Sequence, residues 1–155
     1  MDIRLRAEIE RRIRTCRIAA ADRGFDALLV IGKAPERVGD LLYLTNHQPM
    51  LPGHPTTYNF RGRGFGALFL PVDGPSTLIV TTAFYSDDVV ADRVKISTNL
   101  PAAIAETLKE TKLESSIIGL VGEDVLSVTL YKDLLRLCPQ AQFVDAGDLV
   151  MNMRA

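Results

Sequence analysis

Arg23-Gly24-Phe25-Asp26-Ala27-Leu28-Leu29-Val30-Ile31-Gly32 is the stretch that decides the fold. Residues 25–31 are apolar except for Asp26. A short continuous apolar run of this kind marks a strand covered on both faces, and so a sheet of parallel type. It follows directly on a helix: Leu5, Ile9, Ile13, Cys16 and Ala20 recur at helical spacing and share one face. Gly24 suits the left-handed residue that ends such a helix, and Gly32 is expected to end the strand. Glu8 with Arg12, and Glu10 with Arg14, stand four apart on the wetter side of the helix.

Beyond this stretch, residues 41–44 are apolar but too few to type. Residues 45–64 hold Pro49, Pro52, Pro55, Gly53, Gly62, Gly64 and both histidines, and they read as one long loop, a length at which loops are functional or disordered. Residues 66–70 and 77–81 form the arms of a hairpin, with Pro71-Val72-Asp73-Gly74-Pro75 as its turn. Val94 and Ile96 alternate with Arg93 and Lys95, the pattern of a half-exposed strand. Leu100, Ile104 and Leu108 mark a helix that accepts Pro101 in its first turn. Residues 117–121 are a second apolar strand. Ser127 is placed to cap a helix carrying Leu130, Leu134, Leu135 and Leu137, which Pro139 stops. Residues 142–144 give a last strand, and Asp148 is placed to cap a final short helix. Helices alternating with strands, interrupted by one hairpin, predict an α/β fold: a three-layer αβα domain around a mixed parallel/antiparallel sheet, spanning 1–155.

The bulk numbers narrow the function. The chain has 155 residues, 47% hydrophobic and 24% charged, with a formal net charge of -1. That balance advertises neither nucleic acid nor a membrane surface as partner. The arginines of the first helix are interspersed with carboxylates, which fits a solvated face better than a nucleic-acid-reading one. Cys16 and Cys138 have no CxxC spacing and read as two buried, reduced thiols. The charged N-terminus lacks a signal-peptide core, and Asp2, Glu8 and Glu10 argue against a transit peptide, so the cytoplasm is the expected compartment.

The chain is also poor in catalytic patterns. Gly62-x-Gly64-x-Gly66 lacks the final spacing of a dinucleotide loop and precedes a strand instead of opening a helix, so it reads as a flexible lead-in to that strand. No Walker sequence and no nucleophile elbow is present. His47 and His54 stand in a proline-broken loop with no carboxylate between 41 and 72, an unpromising metal set. Cys16 lies on an apolar helical stripe, where thiols are inert. Asp87-Asp88 and Glu123-Asp124 are adjacent acids, better suited to surface turns than to paired acid–base chemistry. The expectation is no catalytic residue, no metal ligand and no cofactor in this chain.

The order of segments carries a resemblance. A helix leads into Arg23-Gly24-Phe25-Asp26-Ala27-Leu28-Leu29-Val30; then come Leu42-Tyr43-Leu44-Thr45 and Gly66-Ala67-Leu68-Phe69-Leu70-Pro71; then Ile118-Gly119-Leu120-Val121-Gly122, Leu134-Leu135, and Asp145-Ala146-Gly147-Asp148-Leu149 through Arg154. Over essentially its whole length the chain resembles the N-terminal domain of the creatinase/prolidase (Xaa-Pro peptidase) family. Asn46 and His47 depart from the Gly-aromatic pair usual after Tyr-Leu-Thr. Asn is the residue other than Gly most at ease with positive φ, so the turn can survive.

The resemblance implies a non-catalytic domain of an Xaa-Pro dipeptidase, aminopeptidase or creatinase-like hydrolase, one that shapes the substrate pocket and the oligomer. The chemistry would reside in a C-terminal pita-bread domain absent from this chain, where a divalent metal centre or a catalytic histidine would lie. The implied partners are that domain and a second copy in a homodimer. It also implies substrate-binding residues reaching across a subunit interface: Arg63 followed by Phe65-Gly66 resembles the stretch that holds the substrate carboxylate, with Phe60, Arg61 and His54 beside it. The competing readings are a stand-alone α/β binding or assembly module with no associated peptidase and, more remotely, a small α/β enzyme or nucleotide binder.

Overall fold

The computed structural model describes residues 1–50, 60–81 and 85–155. In chain order its elements are α1 (Ile3–Asp22), β1 (Ala27–Lys33), α2 (Gly39–Thr45), β2 (Phe65–Pro71), β3 (Thr77–Val80), β4 (Arg93–Ile96), α3 (Leu100–Glu110), β5 (Ile117–Val121), a 3-10 turn (Glu123–Val125), α4 (Val128–Leu137), β6 (Gln142–Asp145) and α5 (Gly147–Arg154). The six strands form one sheet in the order β4-β3-β2-β1-β5-β6. β1 runs antiparallel to β2 and parallel to β5, β2 and β3 form the expected hairpin, and β4 and β6 pair in parallel at the two edges. The sheet is mixed, with helices on both faces.

Alternation along β1 sets the two layers. Leu28 and Val30 point into a core shared with Ile9, Ile13 and Cys16 of α1, Leu41 and Leu44 of α2, and Leu149 and Val150 of α5. Ala27, Leu29 and Ile31 point the other way, against Ile104 and Leu108 of α3 and Leu130 and Leu134 of α4. Residues 27–31 have no accessible surface, and burying each large side chain among them contributes about 1.5–3 kcal/mol. Asp26, the polar exception, aligns the strands: its amide donates to the Ile117 carbonyl, and its Oδ2 accepts from the Ile117 amide at 2.8 Å.

Local chemistry sets the ends of the elements. At the end of α1, Gly24 has φ 81°, its amide donates to the Ala21 carbonyl, and the Phe25 amide reaches back to the Ala20 carbonyl. This double closure is the Schellman motif, so Phe25 belongs to the cap and the strand begins at Ala27. Asn99 caps α3 by accepting from the Ala102 amide, and Ser127 caps α4 by accepting from the Leu130 amide. Cys16 and Cys138 are free and buried, and burial, reinforced by the negative field of Asp40, pushes the Cys16 thiol up to about 12.

Several expectations are corrected. Residues 41–44 belong to α2. Gly32 lies inside β1, which continues to Lys33. Asp148 does not cap α5: Ala146 occupies that position without a side-chain bond, and Asp148 pairs with Arg23 at 2.9 Å. Glu10 pairs with Arg6 and not Arg14, while Glu8 takes both Arg11 and Arg12, which hold its carboxyl at about 2. Leu5 is 38% exposed near the free end of α1, outside the buried stripe. β4 is an edge strand, so Ile96 is 54% exposed, whereas Lys95 lies along α3 and pairs with Glu106 and Glu110. No helix among the described residues is long and apolar enough to cross a membrane.

Asn46 ends α2 with φ 58°, in the left-handed region, and its Nδ2 donates to the Asp88 carbonyl at 3.1 Å. The side-chain bond is lost in both Asn46→Gly and Asn46→Ala, but only alanine keeps a Cβ in this conformation. The Ala variant is therefore expected to be less stable than the Gly variant by about 1–2 kcal/mol, read from urea midpoints at equal m. Equal midpoints would show that the left-handed geometry carries no cost here.

Candidate functional site

The carboxyl end of β1 and the start of β2 meet residues 47–49 and lead out of residues 60–64, the described parts of the long stretch. Gly32 and Gly66 are direct partners across the β1–β2 ladder. A Cβ on Gly32 would stand 2.9 Å from Leu41 Cδ2 and 3.3 Å from Pro49 Cγ, and one on Gly66 would stand 3.4 Å from His47 Cδ2. The opposed glycines thus form a slot in the sheet surface, which α2 and the 47–49 segment fill. Interior strand glycines mark such close approaches. That is the signal by which the slot could have been found in the sequence, and our reading of it missed the slot.

His47 is 6% exposed. Its amide donates to Thr45 Oγ1 at 3.0 Å, while the Thr45 hydroxyl donates to the Leu41 carbonyl at 2.6 Å. Burial lowers the His47 pKa from its ordinary value, so the ring is held neutral.

Across the slot, residues 60–66 are anchored by their backbone. The Arg61 amide donates to the Thr98 carbonyl at 2.8 Å, and the Leu100 amide donates to the Arg61 carbonyl at 2.7 Å. Arg61 therefore forms a single isolated parallel bridge with Asn99, just before α3. The Phe65 amide then closes onto the Gly62 carbonyl at 3.0 Å, with φ 78° at Gly64. Positive φ at the third residue of such a turn is the signature of type II. The Gly64 carbonyl in turn accepts from the Ala34 amide at 2.9 Å. The Gly-x-Gly-x-Gly stretch is thus an anchored turn and not a flexible lead-in: the Gly62 carbonyl accepts within the turn, the Gly64 carbonyl accepts from Ala34, and Phe65 and Gly66 enter the β1–β2 ladder.

The two arginines are separated by this geometry. Arg61, 38% exposed, leans toward Asp133 of α4, with Nε to Oδ2 at 3.9 Å. Arg63 stands at the corner of the turn, exposed, and has no ion pair among the described residues. Phe60 is half-buried beside them. Phe60, Arg61 and Arg63 thus lie together in the chain where it enters β2, with Arg61 directed to the α4 face, whereas His47 packs against Gly66 on the α2 face; His54 lies outside the described residues. Asp88 and Asp124 are surface acids as expected: Asp88 pairs with the N-terminal amine and Asp124 with Arg37. Among the described residues no three His, Cys, Asp or Glu side chains converge on a metal-sized site.

Two outcomes follow from this geometry. Gly62 has φ 112°, and a Cβ there would lie 2.7 Å from Leu100 Cβ. Gly62→Ala is expected to lose about 1–3 kcal/mol by urea unfolding; an unchanged midpoint would contradict the tight backbone approach. Because native His47 resists protonation, the unfolded chain binds the extra proton as pH falls through about 6.5. The His47 contribution is therefore complete above that pH and is lost progressively below it. His47→Phe is expected to lose less stability than wild type between pH 7.5 and 5.5; identical losses would show that His47 is not held neutral by burial.

Comparison with known proteins identifies the fold and the family. The chain superimposes on the aminopeptidase P, an Xaa-Pro aminopeptidase, of Streptococcus thermophilus with a TM-score of 0.67 at 17% identity, over 95% of this chain and 98% of that one. The N-terminal domain of the cytoplasmic peptidase PepQ of Mycobacterium tuberculosis matches with a TM-score of 0.65 at 18% identity, over 92% and 98% of the two chains. Prolidase from Thermococcus sibiricus gives 0.64 at 19% identity over 93% of this chain, but only 36% of that longer protein is covered. At such identities these likenesses show the fold. No curated protein sequence matches the chain. The family model described as the creatinase/prolidase N-terminal domain matches residues 12–155, and the chain therefore belongs to the creatinase/prolidase N-terminal domain family.

Proposed function

We propose that this chain serves as the accessory domain of an Xaa-Pro peptidase or creatinase-like hydrolase, and that the turn bearing Arg63 binds a substrate carboxylate at the active site of a neighbouring subunit. The bond-breaking chemistry, with any divalent metal, belongs in this reading to a C-terminal catalytic domain. The observation that carries the proposal is the presentation of Arg63: an exposed guanidinium at the corner of a turn whose backbone is tied to both α3 and the end of β1. A guanidinium offers a planar fork of donors and stays charged at any working pH, which suits a carboxylate. Gly62 and Gly64 let the backbone turn sharply on either side of it. Phe60, half-buried and three residues before Arg63, belongs to the same proposed site.

Subunit pairing is the second part of the proposal. Val128, Tyr131 and Leu135 are 68%, 37% and 41% exposed. They recur at three and four residues along α4, so the outer face of this helix is an apolar stripe. Such a stripe supports association with a second copy of the chain.

The test is steady-state kinetics on the domain joined to its proposed catalytic domain. Arg63→Ala is expected to raise KM for a carboxylate-bearing substrate about tenfold to a hundredfold, the loss of one charge-assisted bond of roughly 1.5–3 kcal/mol. Arg61→Ala is expected to change KM far less, because Arg61 is turned toward Asp133. Wild-type KM in both variants would remove this turn from the substrate site, and an effect confined to Arg61→Ala would reverse the assignment.

A further inference from the structure

Asp40 is 2% exposed, and a carboxylate this deeply buried requires partners on both oxygens. It has them. Arg154 Nη1 donates to Oδ1 at 2.6 Å, and Arg37 Nη2 donates to Oδ2 at 3.1 Å. Arg37 Nη1 reaches Asp124 Oδ2 at 2.8 Å, beside the carboxyl end of β5. Gly39 makes room for this arrangement: a Cβ there would lie 2.6 Å from Arg154 Nη2. One buried carboxylate thus joins the last turn of α5 to the first turn of α2 and to the 33–37 turn.

The same network continues toward the Arg63 turn through the backbone. Arg37 and Lys33 exchange both amide–carbonyl bonds, at 2.7 and 2.8 Å. The next amide, that of Ala34, donates to the Gly64 carbonyl at 2.9 Å. Gly64 is the residue immediately after Arg63, and its neighbour Phe65 pairs with Lys33 in the β1–β2 ladder. From Arg154 to Gly64 the path is therefore continuous: Arg154 to Asp40, Asp40 to Arg37, Arg37 to Lys33, and Ala34 to Gly64.

We propose that Asp40 is a positioning residue for the Arg63 turn, holding it in a fixed place relative to α5 through Arg37 and the 33–37 turn. This inference rests on the reading of Arg63 given above, and it adds what sets the geometry of that arm. A substrate arm must be aimed to within a fraction of an ångström to contribute fully. Arg63 sits on an exposed turn, so the aim has to come from the backbone beneath it. Arg154 makes the last helical turn of α5 part of the same rigid frame.

The test is amide hydrogen exchange on this chain, which involves no substrate, so its result and the kinetic result for Arg63 stand or fall separately. Asp40→Asn and Arg154→Met each remove one end of the clamp. Both are expected to speed exchange about tenfold at Lys33, Ala34, Arg37 and Phe65 as well as along α5, with the amides of Leu29 and Leu68 unchanged. A purely local role would loosen α5 and leave Ala34 and Phe65 protected, and that result would overturn the proposal. If Asp40→Asn does not fold, Arg154→Met decides the matter alone, because Asp40 then keeps Arg37 as a partner.

Discussion

The burial of β1 over residues 27–31 is the constraint on which the rest of the structure depends. A strand with no accessible surface over residues 27–31 needs a neighbour on each edge and a helical layer on each face, or its backbone groups and apolar side chains go unsatisfied. β2 supplies one edge in antiparallel sense and β5 the other in parallel sense. α1, α2 and α5 cover one face, and α3 and α4 the other. The order of the sheet follows: a hairpin extends it on the β2 side, and crossovers through helices extend it beyond β5. Even the exposed ends answer to β1, since the Arg63 turn is bonded to the residue just beyond its last paired position.

Much of this was legible in the sequence because periodicity and capping chemistry are local. The stripe of α1, the hairpin, the Ser127 cap and the apolar runs of β1 and β5 each depend on residues within a few positions of one another. The family resemblance rested on the order of those same local signals. What escaped depended on contacts made far away in the chain. α2 is too short to show a period and is held by Leu41 and Leu44 facing a sheet that sequence alone does not place. Gly32 reads as a strand end by composition, yet it sits inside β1 because Gly66 opposes it and Leu41 and Pro49 occupy the space. Asp148 has the right identity for a cap, but Arg23, far away in sequence, takes its carboxylate.

The candidate site was legible in residue type and not in geometry. The resemblance points to Arg63, but residue type alone gives Arg61, two positions away in the same glycine-rich stretch, equal reach. Their difference comes from pairing: residue 61 is stitched to 98–100, which leads its side chain toward α4, while residue 63 falls at the corner of a turn. His47 is the converse case. It read as an ordinary loop histidine because nothing nearby marks it as buried, and the lowering of its pKa comes from burial beside Gly66, a contact the sequence does not show. His54 lies outside the described residues and carries no structural argument.

Glycine and proline in a stretch are usually read as freedom, but the quantity that decides mobility is the number of backbone donors and acceptors that find fixed partners. Across residues 61–65 the amides of Arg61 and Phe65 donate within the fold, and the carbonyls of Arg61, Gly62 and Gly64 accept. The glycines are present because the path is too tight for a Cβ at 62, not because the path is loose. This matters for a guanidinium proposed to meet an anion. Ordering a long side chain and its loop on binding subtracts from the affinity that the contact itself supplies. When the backbone beneath Arg63 is already fixed by α3 on one side and by the end of β1 on the other, only the side-chain rotamers remain to be ordered. Rigidity in a segment composed like a loop is thus the property that would make a single exposed arginine effective.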